Sequence, residues 1–225
     1  MNVAIIAAAG QGTRFGGDRA KQFLELVGIP IIIHAVQAFQ RCDLINEIVV
    51  VLPAEDEAGF RDLVAAHNLD KVTRVVQGGR TRAESVLNGF RVISSAEIVA
   101  IHDGVRPFVS ADEIKRTIEA ASEYGAAVLV AAATDTIKQV SGGMVERTVP
   151  RNQLRRALTP QCFRYSLLDR VYQEVDVLDP EITDESMLCE KSGIPVAVVE
   201  GSARNIKITQ PEDLAIAEML LGKGS

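Results

Sequence analysis

Short apolar runs recur along this chain, separated by stretches with helical periodicity, and that alternation constrains the fold more than any other feature. Val3-Ala4-Ile5-Ile6-Ala7 and residues 47–52, 72–76, 97–102 and 126–133 read as strands. Runs that are apolar at nearly every position, rather than at every second one, belong to strands covered on both faces. Between them lie amphipathic stretches at 31–41, 55–67, 80–93 and 112–124. Ile32, Ala35, Val36 and Phe39 share a face in the first, and Val86, Leu87, Phe90 and Ile93 in the third. This pattern predicts an α/β fold, a Rossmann-like and mostly parallel sheet with helices on both sides. Ligands of such sheets bind beyond the carboxyl ends of the strands. The loop after Ala7 and the residues from Asp103 to Pro107 therefore fall at one pole.

The alternation breaks at residues 134–152. Thr136-Ile137-Lys138-Gln139-Val140 and Met144-Val145-Glu146-Arg147-Thr148-Val149 flank Ser141-Gly142-Gly143, a hairpin signal. A lone two-stranded hairpin is marginal in water, so this arm is expected to pack on something, either its own sheet or a second subunit. Helices follow at 164–175, from Thr183-Asp184-Glu185 onward with Thr183 as N-cap, and at 211–221 with Pro211 in its first turn. Residues 195–200 read as a strand and 205–209 as a short extended segment. No linker or repeat interrupts the chain, and residues 1–225 are expected to form one domain carrying the arm.

A formal net charge of −6 argues against a nucleic-acid binder, though a local cluster of Arg and Lys can still hold an anionic substrate. No apolar run approaches the ~20 residues of a membrane span. The first ten residues lack the basic region of a signal peptide and read as a strand. Cys42, Cys162 and Cys189 show neither a disulfide framework nor zinc-ligand spacing. The expected setting is cytoplasmic, with no membrane and no nucleic acid as partner.

The first strand opens into AAAGQGTRFGGDRAKQ, residues 7–22. Gly10, Gly12, Gly16 and Gly17 let backbone approach a ligand closely, and Arg14 and Lys21 add charge. Exposed N–H groups with spaced cations suggest a cradle for a nucleotide triphosphate. It is not the dinucleotide fingerprint, because Phe15 stands where the third glycine belongs. Nor is it a Walker A loop, because Asp18 stands where lysine is required. Asp103, at the end of an apolar run, reads as a single carboxylate for magnesium beside phosphate oxygens. His102 reads as structural.

The opening resembles that of nucleotidyltransferases. Four later segments narrow the likeness: Arg82-Ala83-Glu84-Ser85-Val86, His102-Asp103-Gly104-Val105-Arg106-Pro107-Phe108, Ala157-Leu158-Thr159-Pro160-Gln161 and Ile182-Thr183-Asp184-Glu185. With Asn205-Ile206-Lys207-Ile208-Thr209 they make the chain similar to the 2-C-methyl-D-erythritol 4-phosphate cytidylyltransferase family of the non-mevalonate isoprenoid pathway. The resemblance implies a nucleotidyltransferase-type sheet and a magnesium-dependent reaction. In it the sugar-alcohol phosphate attacks the α-phosphorus of CTP and pyrophosphate leaves. It also implies the roles of individual residues. Arg14, Lys21 and Lys207 would be the catalytic cations. Ala8, Ala9, Gly10, Gly12, Gly79, Ser85 and Asp103 would bind the nucleotide, with Asp103 also the Mg2+ ligand. Arg106, Thr136, Arg151, Thr159 and Thr183 would bind the acceptor, and the arm would reach across a homodimer. Arg80 departs from the acidic residue some relatives carry there, while Arg155 and Arg156 read as surface charges. The alternatives are a ribitol-5-phosphate cytidylyltransferase, similar at the opening, at HDGVRPF and at Asn205-Ile206-Lys207, and a non-catalytic nucleotide-binding domain.

Overall fold

Each strand of the sheet sends alternate side chains to opposite faces, and here both faces are covered. The computed structural model describes residues 1–10, 20–177 and 179–222. In chain order, β1 (Asn2–Ala7) is followed by the small hairpin β2 (Glu25–Leu26) and β3 (Ile29–Pro30), then by α1 (Ile31–Gln40). Next come β4 (Glu47–Leu52), α2 (Glu57–Ala66), β5 (Val72–Gln77), α3 (Arg82–Arg91), β6 (Ile98–Asp103), α4 (Ala111–Tyr124) and β7 (Ala126–Ala132). The second part comprises β8 (Ile137–Ser141), β9 (Met144–Val149), β10 (Arg155–Arg164), α5 (Tyr165–Glu174), α6 (Glu185–Lys191), β11 (Ala197–Glu200) and α7 (Pro211–Gly222).

The main sheet has seven strands in the order β11-β7-β10-β6-β1-β4-β5. β1 pairs in parallel with β4 and β6, β4 with β5, and β11 with β7. Ala4, Ile6, Val50 and Ala100 face one layer, against Ile32, Val36 and Phe39 of α1, Phe60 of α2 and Ile114 of α4. Val3, Ile5, Val49, Val99 and Ile101 face the other, against Val86 and Phe90 of α3, Leu168 and Val171 of α5 and Leu188 of α6. This is why the runs are apolar at successive positions.

β10 departs from the expected pattern. It lies inside the sheet, antiparallel to both β6 and β7. Arg155 and Arg156 open it with charge and Pro160 interrupts it, so its sequence lacks a strand signature. A register irregularity between Ala157 and Gln161 accommodates the proline within the β7 pairing. A second departure is at α6, where the N-cap is Asp184 rather than Thr183; the Asp184 carboxylate accepts from the N–H of Met187 at 3.0 Å. The 205–209 segment joins no ladder.

β8 and β9 form a hairpin that pairs with no other strand among the described residues. Its turn, Gly142-Gly143, has φ of 55° and 79°. Two successive positive φ angles define the primed turn that suits a hairpin's twist, and glycine adopts them without steric cost. No described helix is long and apolar enough to cross a membrane.

Candidate active site

β5 leads outward from β1 by way of β4, and the chain then returns through α3 to place β6 on the other side of β1. That reversal leaves a crevice between β1 and β6 at their carboxyl ends. A cleft of about 490 Å³ lies there. Its walls are Ala7 to Gly10 after β1, Lys21 and Gln22, the turn from Gly79 to Arg82 with Ser85, Asp103 and Val105 after β6, and Lys207.

Backbone forms much of the wall nearest α3. A Cβ on Gly78 would sit 2.1 Å from the Cβ of Ala9, so only glycine lets the two turns meet. Ser85 is buried, and its hydroxyl accepts from the Gly79 N–H at 3.0 Å and donates to the Thr81 carbonyl at 2.8 Å. The serine therefore fixes the turn. Thr81 caps α3 by accepting from the Glu84 N–H at 3.0 Å, and Glu84 accepts from the Arg80 N–H at 2.8 Å. Arg80 itself is exposed.

Asp103 is the electrostatic centre. Its Oδ1 accepts from Arg82 Nε at 3.0 Å, while Oδ2 accepts from Arg106 Nε at 3.2 Å and pairs with Lys207 Nζ at 3.0 Å. Burial alone would raise its pKa, but Arg82, Lys207 and Arg106 together hold the carboxyl well below the usual carboxylate range. Lys207 is brought here by its apolar neighbours. Ile208 is fully buried with Leu26, Ile31 and Val105, and its N–H donates to the Val105 carbonyl at 2.9 Å.

Behind Asp103 stands a directed chain of hydrogen bonds. His102 Nε2 faces the Arg106 carbonyl at 3.0 Å, and a carbonyl only accepts, so Nε2 carries the proton. Nδ1 must then accept, and the Thr159 hydroxyl donates to it at 2.8 Å. The same hydroxyl accepts from the Asp103 N–H at 3.2 Å. Thr159 is 4% exposed and lines no part of this cleft, so in this arrangement its hydroxyl faces the interior and not an acceptor. Its only hydroxyl proton is spent on His102.

Burial keeps His102 neutral and lowers its pKa to about 4. The unfolded chain takes up this proton near pH 6.5 and the folded chain only near 4. Stability is therefore unaffected above about pH 6.5 and falls as pH drops through that window, by about 3 kcal/mol in all. Urea unfolding at pH 7 and pH 5 should show a clear drop in free energy, and equal values would contradict the neutral, buried imidazole.

The predicted residues thus divide. Ala8, Ala9, Gly10, Lys21, Gly79, Ser85, Asp103 and Lys207 surround one cleft. Arg106 touches Asp103 and donates to the Asn205 carbonyl at 2.9 Å, so in this arrangement it braces the floor instead of lining the cleft. Thr183 is exposed just before α6, its hydroxyl 3.8 Å from Met187 Sδ. Thr136 and Arg151 lie exposed at the root of the arm, where Arg151 Nη1 donates to the Thr134 carbonyl; neither lines this cleft. Gly12 and Arg14 lie outside the described residues. Two residues escaped sequence reasoning, Arg82 as an Asp103 partner and the buried Glu185 behind it. Only the Arg82-to-Val86 and Ile182-to-Glu185 motifs pointed near them.

A mostly parallel sheet with a cation-lined, glycine-walled cleft at its switch point defines a nucleotide-handling α/β protein, and the comparisons place it among the nucleotidyltransferases. The family model described as 2-C-methyl-D-erythritol 4-phosphate cytidylyltransferase matches residues 2–223. The chain belongs to that family. It is 42% identical over 228 residues to the enzyme of that name from Clostridium acetobutylicum, covering 100% of this chain and 99% of the relative. The Geobacillus kaustophilus enzyme of the same name is 40% identical over 218 residues, covering 97% and 96% respectively. The solved 4-diphosphocytidyl-2C-methyl-D-erythritol synthase of Anaerococcus prevotii superposes with a TM-score of 0.86 at 31% identity, covering 98% of each chain.

Proposed function

We propose that this chain joins CTP to 2-C-methyl-D-erythritol 4-phosphate, giving the cytidine diphosphate derivative and pyrophosphate for isoprenoid precursor synthesis. The observation that carries the reading is the cleft's charge. Lys21, Arg80, Arg82 and Lys207 line it, and Asp103 is the only acid among its described lining residues. Family membership favours the methylerythritol acceptor over ribitol 5-phosphate, because relatives of about 40% identity across the whole chain carry the former name.

In the proposed step an oxygen of the acceptor's phosphate bonds to the α-phosphorus of CTP. The bond from that phosphorus to the bridging oxygen breaks, and pyrophosphate departs with the electron pair. The nucleophile is already an anion, so no proton need be removed. That agrees with a site whose nearest histidine, His102, is buried and committed to structural hydrogen bonds. What remains is positioning and charge stabilisation. Lys21 and Lys207 supply charge at the α-phosphate, and Arg14 joins them on the family resemblance. Lys207 rests on Asp103, and an α-phosphate competes for the same ammonium. Cytosine lies against the backbone of Ala8, Ala9 and Gly79, which border the cleft.

Magnesium enters this reading with the triphosphate. Asp103 is ionised at any working pH and borders the cleft, which suits a site of one carboxylate, phosphate oxygens and water. One of its contacts with Arg82, Arg106 or Lys207 must open for it to serve. Bound there, the ion would offset charge on the departing pyrophosphate. Pyrophosphate release should require CTP, methylerythritol phosphate and magnesium together and stop with EDTA. Faster release with ribitol 5-phosphate would overturn the acceptor assignment.

The arm suits a second copy of this chain. Val140, Met144 and Val145 are exposed on a hairpin that pairs with nothing else described, and such apolar surface is a contact candidate. In a dimer Thr136 and Arg151, at its root, would serve the partner's acceptor site. Light scattering should give a dimer mass, and a monomer mass across the concentration range would remove this part of the reading. A reducing cytoplasm accords with three free, buried cysteines.

A further inference from the structure

Arg82 joins two acids from separate elements. Its Nε–H donates to Asp103 Oδ1 at 3.0 Å, and its Nη1 group donates to both oxygens of Glu185, at 2.9 and 3.2 Å. Glu185 is 1% exposed and lines no part of the cleft, and among the described residues its carboxylate reaches the site through Arg82. It is also rigidly mounted. Gln161 of β10 accepts from the N–H groups of Glu185 and Ser186, both at 3.1 Å, and donates to Asp184 at 2.8 Å. Arg82 itself opens α3, one position after its capped end.

Stability does not explain the arrangement well. A buried ion pair can often be replaced by apolar groups of similar volume at no cost. Asp103 would keep Arg106 and Lys207 if Arg82 were removed. The fork of a guanidinium, however, can grip two carboxylates in a fixed geometry, which an ammonium cannot. If a phosphate draws Lys207 from Asp103, the carboxylate loses one cation. Arg82 is tied from behind by Glu185 and does not follow the phosphate.

We infer that Arg82, pinned by Glu185, is a positioning residue for cytidylyl transfer: it fixes the Asp103 carboxylate and so the point from which Lys207 meets the α-phosphate. This rests on the cytidylyl-transfer reading above. Misplacing a reacting group by about 1 Å can cost a hundredfold in rate.

The test uses the full chain as parent, the double variant Arg82→Met/Glu185→Gln and the single variant Arg82→Lys, with CTP, methylerythritol phosphate and magnesium. Parental pyrophosphate release tests the underlying reading by itself, so its failure is distinct from failure of this inference. The double variant removes the pair together and is expected to melt within a few degrees of the parent. Its kcat should nevertheless fall about tenfold or more, with the KM for the acceptor within about twofold. Arg82→Lys keeps the charge without the fork and should lose kcat to a similar extent. Parental kcat in the folded double variant would overturn the inference. So would a loss confined to the acceptor's KM, which would mean that Arg82 merely steadies α6 and Thr183. If the double variant does not fold, Arg82→Lys decides alone, and parental kcat there overturns the proposal.

Discussion

Replacing Lys207 by alanine is expected to lower kcat by about 10²–10³-fold while the protein stays folded. The variant loses one preorganised charge at a developing transition state, worth about 3–4 kcal/mol. Lys207 lies 3.0 Å from Asp103 with its side chain 37% exposed, so its contribution to folding is that of a partly solvated pair, about 1 kcal/mol or less. Asp103 also keeps its bonds to Arg82 and Arg106. The thermal midpoint should accordingly move by only about 2–4 °C. A steady-state assay of pyrophosphate release beside a melting curve separates the two effects. Turnover within threefold of the parent would remove Lys207 from the mechanism.

Asp103→Asn is expected to reverse that balance and damage the fold as well as the reaction. The amide keeps the shape of the carboxylate and loses its charge, which leaves Arg106 and Lys207 without their anion and Arg82 with Glu185 alone. Removing one partner of a buried ionic cluster costs about 3–5 kcal/mol, or roughly 10 °C in a chain of this size. The pH dependence gives a second signature. The folded pKa of Asp103 lies below its unfolded value, so its stabilisation is complete above about pH 4 and is lost as pH falls further. The gap in unfolding free energy between parent and variant should be constant from pH 7 to pH 5 and narrow only in stronger acid. Both proteins should share the decline due to His102. An Asn variant as stable as the parent at pH 7 would show that the three cations do not depend on this carboxylate.

The parts of the fold legible in the sequence were those whose residues state their own environment. Ile5, Val49 and Ile101 alternate with Ile6, Val50 and Ala100 between two helical layers, and an apolar run reports that directly. β10 was illegible because its signal is mixed, with charge at Arg155 and Arg156, a proline at 160 and a register irregularity where a ladder should continue. The site was legible to a similar degree. Of the loop glycines and cations, Gly10 and Lys21 border the cleft while Gly12 and Arg14 lie outside the described residues, and Lys207, set between Ile206 and Ile208, borders it too. The use of a hydroxyl does not show in its position. Thr159 and Thr183 look alike in sequence, yet one bonds inward to His102 and the other is exposed. Arg82 and Glu185, 103 positions apart, meet only because α3 and α6 lie on the same face of the sheet.

The direction of β10 has a consequence for how such a chain can vary. Had the strand beside β6 and β7 been parallel to them, the chain would need a covering crossover to return to the far pole before entering it. Because β10 is antiparallel, the chain leaves β7 and enters β10 at the same pole, where the cleft opens. The hairpin between them is then a free insertion, with both ends fixed by a completed sheet and no duty in covering the core. Its length and its Thr136, Arg151 and apolar tip can change without disturbing a single ladder bond of the main sheet. If the proposed roles of Thr136, Arg151 and the apolar tip hold, acceptor choice and subunit contact would be carried on a detachable part, while the cleft between β1 and β6 stays built into the frame.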